Sequence, residues 1–194
     1  MSGRDATAIE RARRGDEFAF VRLVHSYQVP LYNLCFRMLG EAGEAEDAAQ
    51  ETLLRVYLHL QCYDPRREFK TWLFAIATHF CIDRLRRRRL VWQPWDAEHD
   101  YQGALNIETA PGPEQAVLQS EDECETQALL ARLASKDRAV VVMHYWGDMS
   151  YAEMAAATGA TVGAVKSRMH RARAQLAGTL CHGARTRQRC SVRN

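Results

Sequence analysis

A chain of 194 residues, 47% hydrophobic, 26% charged and 9% aromatic, has the balance of one medium or two small globular domains and excludes a fibre, a disordered tail and a large multidomain enzyme. Its longest uncharged run, Leu23 to Phe36, has 14 residues and contains Pro30, short of the ~20 apolar residues that a bilayer span needs. No apolar stretch follows the N-terminal arginines as it would in a secretory leader, so the expectation is a cytoplasmic protein with no stable membrane insertion. The formal charge of +2 is unevenly spread: net +3 over residues 1–89, −9 over 90–131, where there is no Lys or Arg, and +8 over 132–194. From Val162 onward there are eight bases and no acid, the footprint of a surface that meets phosphates.

Along the chain, apolar residues recur at helical spacing in three early groups: Phe18, Val21, Leu23 and Val24; Leu31, Leu34, Cys35 and Met38; and Ala45, Ala48, Ala49, Leu53, Val56 and Leu60. Gly40 and Gly43 separate the last two as a helix stop and restart would. A fourth helix follows Pro65, through Phe69, Trp72, Leu73, Ile76, Phe80 and Leu85, and ends in the basic run Arg84 to Arg89. Nothing alternates with period two for long, so residues 1–95 read as a helical bundle. Pro94, Gly103, Pro111, Gly112 and Pro113 then interrupt any periodicity, and residues 96–126 read as an acidic flexible linker. Its charge suits a strap along a basic channel or over a basic face of its own chain, and equally a plain soluble spacer.

The C-terminal part, 127–182, begins with Leu129, Leu130 and Leu133, restarts at Ser135 and continues through Val140, Val142 and Met143 to Trp146. Gly147 breaks the pattern, and Ser150-Tyr151-Ala152-Glu153 has the form of a capping box, hydroxyl and carboxylate each satisfying a free backbone N–H. Gly159 is placed as a left-handed helix end and Thr161 as the next cap. Helix, tight Gly turn, helix is the helix-turn-helix arrangement, whose second helix enters the DNA major groove. On that second helix Val165, Met169, Ala172, Leu176 and Leu180 form one apolar stripe; Lys166, His170 and Arg173 lie on another face, with Ser167 and Arg171 beside them. The fold class is therefore all-α: an N-terminal bundle and a C-terminal helix-turn-helix domain, standing as two separate modules, with a basic tail over 183–194. The six cysteines form no CxxC pair, so a zinc finger or disulfide framework is not expected; Cys181, His182 and Cys190 are left open between a metal or redox role and ordinary thiols. No cofactor and no catalytic grouping are expected.

Three segments of the first half, Glu44-Ala45-Glu46-Asp47-Ala48-Ala49-Gln50-Glu51-Thr52, Phe69-Lys70-Thr71-Trp72-Leu73-Phe74-Ala75-Ile76-Ala77 and Ile82-Asp83-Arg84-Leu85-Arg86-Arg87, resemble conserved region 2 of the extracytoplasmic-function sigma factors. Ser150-Tyr151-Ala152-Glu153-Met154-Ala155, Val162-Gly163-Ala164-Val165-Lys166-Ser167-Arg168 and His170-Arg171-Ala172-Arg173 resemble their region 4. The resemblance implies a non-enzymatic bacterial initiation factor that binds core RNA polymerase, recognises the minus-35 element with region 4 and captures the minus-10 element with region 2. It also implies an anti-sigma factor as partner. The minus-35 residues would be Lys166, Ser167, Arg168, His170, Arg171 and Arg173. Polymerase would meet Asp47, Gln50, Glu51 and Leu54, an acidic patch with an apolar spot.

Strand capture falls to Tyr63, Arg66, Arg67, Phe69, Lys70, Trp72, His79, Arg84, Arg86 and Arg87, because cations that track phosphates, mixed with aromatics on which unstacked bases lie, suit single-stranded DNA. Phe69 and Trp72 also fit a core at their spacing of three, Trp72 the more readily. Three positions depart from the family pattern: Ala164 stands for a usual Thr, His79 for an Asn and Ala134 for a Pro. Two competing readings lack support in the residues. A stand-alone helix-turn-helix regulator has no need of the 47–54 patch, and a recombinase requires a nucleophile among arginines, company that Ser26 and Tyr27 lack.

Overall fold

The computed structural model describes residues 3–91 and 117–191, with side chains over 6–88 and 123–179. Regular structure among them is helical throughout. In the first half α1 spans Gly3–Arg13, α2 Glu17–Leu39, α3 Ala42–His59 and α4 Phe69–Val91; in the second, α5 spans Val117–Ala131, α6 Ser135–Tyr145, α7 Tyr151–Thr158 and α8 Val162–Ser191.

Short-range chemistry places the ends. The Asp16 carboxylate accepts the Ala19 N–H at 3.0 Å and starts α2, and that bond, with the Arg11 guanidinium, holds its carboxyl below the usual carboxylate range. Gly40, at φ 82°, ends α2. One residue on, the Glu41 carboxylate accepts from the Gly43 and Glu44 N–H groups and opens α3.

Two expectations change in this half. The first two apolar groups belong to one helix, since α2 runs through Pro30; the proline removes one ladder donor, while Leu23, Leu31 and Leu34 are buried on either side of it. The core face of α2 is Ala19, Leu23, Leu31, Leu34, Cys35 and Met38, whereas Phe18 is 84% exposed and Val21 also faces out. The reason is the neighbour: α3 offers the small Ala45, Ala48 and Ala49 to α2, which lets the two helices approach closely and selects the face that follows Leu23. Helix α1 is an addition, packing Ala8, Ile9 and Ala12 into the same core.

Residues 117–126, assigned to the linker from sequence, form the first turns of α5; the Leu, Gln and Glu there are good helix formers. Residues 92–116 lie outside the described ones. The backbone of α8 continues to Ser191 through most of the basic tail, while the side chains of Leu180, Cys181, His182 and Cys190 lie outside the described set.

The two helical domains are present as expected, and the structure adds that they pack on one another. Six consecutive residues of α6, Arg138 to Met143, are buried, and a helix buried all round has neighbours on every side. Helices α7 and α8 cover one side and α2 and α4 the other, so the halves share one continuous apolar core. Polar contacts stitch the seam: Gln127 Nε2 donates to the Phe36 carbonyl at 2.7 Å, Arg138 Nη1 to the Met38 carbonyl at 2.8 Å, and Arg37 pairs with Glu123 at 2.8 Å while lying 5.1 Å from the Trp146 ring centroid.

Between α6 and α7 the chain doubles back where the Met149 N–H closes on the Met143 carbonyl at 3.1 Å. Gly147 is required there, because a Cβ would stand 2.5 Å from the Met143 oxygen. Asp148 takes the left-handed conformation at φ 51°, which Asp tolerates better than most residues.

Candidate nucleic-acid interface

The helix-turn-helix is built as its residues predict. Ser150 Oγ accepts the Glu153 N–H at 3.3 Å and Glu153 Oε2 accepts the Ser150 N–H at 2.7 Å, closing the capping box. Gly159, at φ 63°, ends α7, and Thr161 Oγ1 accepts the Ala164 N–H at 3.1 Å to start α8. Val165, Met169 and Ala172 are buried, and Leu176 packs partly against the same core. Lys166, Ser167, His170, Arg171 and Arg173 are exposed on the remaining surface.

Neighbours restrain part of that surface. Asp137, in the first turn of α6, sits 3.2 Å from Arg171 and 3.9 Å from the half-buried Arg168, so these two guanidiniums are aimed by a carboxylate that sequence reasoning did not single out. Ser167 Oγ donates to the Gly163 carbonyl of its own helix at 3.0 Å, and the Arg173 guanidinium lies 5.8 Å from the Tyr145 ring centroid. Lys166 and His170, four apart and unshielded, are the freest donors on a helix of the width that a major groove admits.

In the first half the aromatic expectation is corrected. Tyr63 and Phe69 are each 2% exposed, with ring centroids 5.5 Å apart; Phe69 lies 5.4 Å from Tyr27 and Tyr63 5.1 Å from the half-buried Trp72. The Tyr63 hydroxyl donates to the Arg67 carbonyl at 2.5 Å. Tyr63 and Phe69 staple the loop before α4 to the bundle and present no open face to a base, while Trp72 keeps part of its ring exposed. Burial also holds the Tyr63 phenol above its usual range. Arg66, Arg67, His79, Arg86 and Arg87 are exposed, and Arg86 pairs with Asp83 at 3.3 Å. Lys70, half-buried, stands 3.8 Å from Asp148 of the other half.

The basic run at the end of α4 divides by helical spacing. Arg84 and Arg88, four apart, turn toward α3: Arg84 lies 3.5 Å from both Glu44 and Asp47, and Arg88 pairs with Glu44 while donating to the Leu39 carbonyl at 3.4 Å. Arg86 and Arg87 point to solvent. The spacing of four from Arg84 was the available signal for Arg88. On α3, Asp47, Gln50 and Leu54 are exposed and Glu51 is half-buried and paired with Arg55 at 2.7 Å, opposite the buried Ala45, Ala48, Thr52 and Val56. No group of three or more His, Cys, Asp or Glu able to hold a metal occurs among the described residues, and no helix among them is long and apolar enough to cross a membrane.

Residues 23–91 match the Sigma-70 region 2 family and residues 125–176 the Sigma-70 region 4 family. The chain belongs to the extracytoplasmic-function (ECF) RNA polymerase sigma factors. It is 38% identical over 173 residues to the ECF RNA polymerase sigma factor SigW of Bacillus subtilis, covering 87% of this chain and 92% of that one. It is 33% identical over 187 residues to the RNA polymerase sigma factor CnrH of Cupriavidus metallidurans, covering 93% and 97%. The solved structure of CnrH in complex with the cytosolic domain of CnrY superposes with a TM-score of 0.70 at 25% identity, covering 93% of this chain and 99% of that one.

Proposed function

We propose that the protein directs core RNA polymerase to a set of promoters from the cytoplasm, acting by binding and carrying out no reaction of its own. The observation that carries this reading is the exposed Lys166 and His170 face of α8, set over a buried stripe and aimed by the α6 and α7 scaffold. That face inserts into the duplex major groove at the minus-35 element, with Arg168, Arg171 and Arg173 gripping flanking phosphates and Ser167 at the edge of the contact. Region 2 takes the minus-10 strand through Arg66, Arg67, His79, Arg86 and Arg87, with Lys70 joining once its contact with Asp148 is broken. Asp47, Gln50, Glu51 and Leu54 form the polymerase contact.

Restraint by an anti-sigma protein belongs to the same proposal, supported by the likeness to CnrH, whose structure was solved with the cytosolic domain of CnrY. Transcription reconstituted from purified core polymerase and a matched promoter tests the whole reading. Promoter-specific transcripts that require the chain are expected; a chain that fails to comigrate with core polymerase rejects it.

A further inference from the structure

Where the two halves meet, a cavity of about 170 Å³ is lined by Leu39, Gly40, Glu41, Leu85, Arg88, Gln127, Ala131 and Arg138, well beyond the ~30 Å³ that one water occupies in the liquid. Arg138 is only 7% exposed. Its Nη1 reaches the Met38 carbonyl, its buried Nε has no hydrogen-bond partner, and no carboxylate among the described residues pairs with it. Burial, with the positive charge of Arg88 in the same wall as a lesser cause, brings the Arg138 guanidinium down to about 10. A buried cation is costly unless paired; Arg88 already has Glu44, so the uncompensated charge in this wall is that of Arg138.

The acids nearby do not compensate Arg138. Glu41 spends its carboxylate on the first N–H groups of α3, and Glu44 is engaged with Arg84 and Arg88. The carbonyls at the end of α2, which would repel an anion, are already covered by the Nη1 groups of Arg138 and Arg88.

We propose that this cavity is a binding site for a small tetrahedral oxyanion, either inorganic phosphate or the terminal phosphate of a phosphoester, held between Arg138 and Arg88. The planar guanidinium fork suits such an anion better than a point cation would. Because its walls come from both halves, the anion binds only while they are together and stabilises that arrangement by mass action.

The test uses the full chain in chloride-balanced buffers of constant ionic strength, titrated with inorganic phosphate and read by the thermal unfolding midpoint and by phosphorus NMR line width. A saturable rise in midpoint with millimolar phosphate is expected, reproduced by sulfate and not by acetate. Arg138→Gln, which removes the guanidinium from the cavity wall, and Ala131→Leu, which fills the cavity without touching a charge, both abolish the rise; circular dichroism confirms that each is folded. Lys166→Ala retains it, which separates this site from the basic face of α8. A nucleoside monophosphate that matches inorganic phosphate assigns the source to a phosphoester, and one that fails assigns it to the free anion. An unsaturable or absent response in the unaltered chain, an equal response to acetate, or a response that survives both Arg138→Gln and Ala131→Leu overturns the proposal.

Discussion

Arg84 on α4 and Asp47 on α3 lie 3.5 Å apart, which joins by an ion pair a residue assigned to promoter strand capture and one assigned to polymerase. Asp47→Arg should therefore act twice, removing an acid from the polymerase surface and pushing Arg84 away. We expect core affinity to fall about tenfold, the ~1.4 kcal/mol of one charged hydrogen-bonded contact, with minus-35 binding by the isolated chain unaltered. Core affinity measured by fluorescence anisotropy decides; an unchanged value removes Asp47 from the interface.

The burial of Phe69 against Tyr27, Tyr63 and Trp72 predicts that Phe69→Ala costs about 3 to 5 kcal/mol of stability, the range for a core phenylalanine. Arg66→Ala and Arg67→Ala should leave stability within ~0.5 kcal/mol while weakening binding of a single-stranded minus-10 oligonucleotide in the polymerase complex. Urea unfolding alongside strand binding separates the two effects.

Lys166→Ala should weaken minus-35 binding and leave polymerase affinity intact, and if Lys166 meets a phosphate the slope of log affinity against log salt falls by about 1. Asp137→Asn releases Arg168 and Arg171 from their shared carboxylate and should lower sequence discrimination more than affinity. Loss of polymerase binding in either variant means that α8 faces the enzyme.

Across the seam the Glu68 and Glu153 side chains share a hydrogen bond, which keeps the Glu68 carboxyl above its usual range, while the Ser150 cap holds Glu153 below it. The Glu153 contribution is complete above its unfolded-state value near 4.5 and is lost as pH falls through the lower folded-state one. Glu68 runs the other way: its contribution is complete below its unfolded-state value and lost as pH rises through the raised one. Once pH has risen through the raised Glu68 range both are ionised and repel. Glu68→Gln keeps a donor for Glu153 without that repulsion, so its unfolding midpoint should exceed that of the unaltered chain at about pH 7 and the advantage should shrink in acid. Calorimetry across pH checks both signs.

Ala134 precedes α6 at φ −56° and ψ 143° with no side-chain cap, a backbone that proline adopts without strain. Ala134→Pro is expected to stabilise the chain by about 0.4 to 1 kcal/mol through the unfolded state. A lower denaturation midpoint would mean that the substitution disturbs the turn after Leu133.

The helix-turn-helix was legible residue by residue because its signals are local: Ser150, Glu153, Gly159 and Thr161 each act within a few positions. The bundle was legible as helices and less so as faces. Phe18 and Ala19 differ by one position, and only the presence of α3 decides which is covered. Likewise Tyr63 and Phe69 carry the chemistry of base stacking whether buried or open, and a contact such as Arg138 to Met38, 100 residues apart, leaves no periodic trace. The Asp137 anchor for Arg168 and Arg171 was invisible for the same reason.

At the last turn of α2 the acceptors for Gln127, Arg88 and Arg138 are the main-chain oxygens of Phe36, Leu39 and Met38. Mutational drift at those three positions that preserves the helix leaves the acceptors where they are, so the attachment is indifferent to side-chain identity on one flank and exacting on the other. Polymorphism that breaks the two of these bonds that cross between the halves will accordingly be found at Gln127 and Arg138.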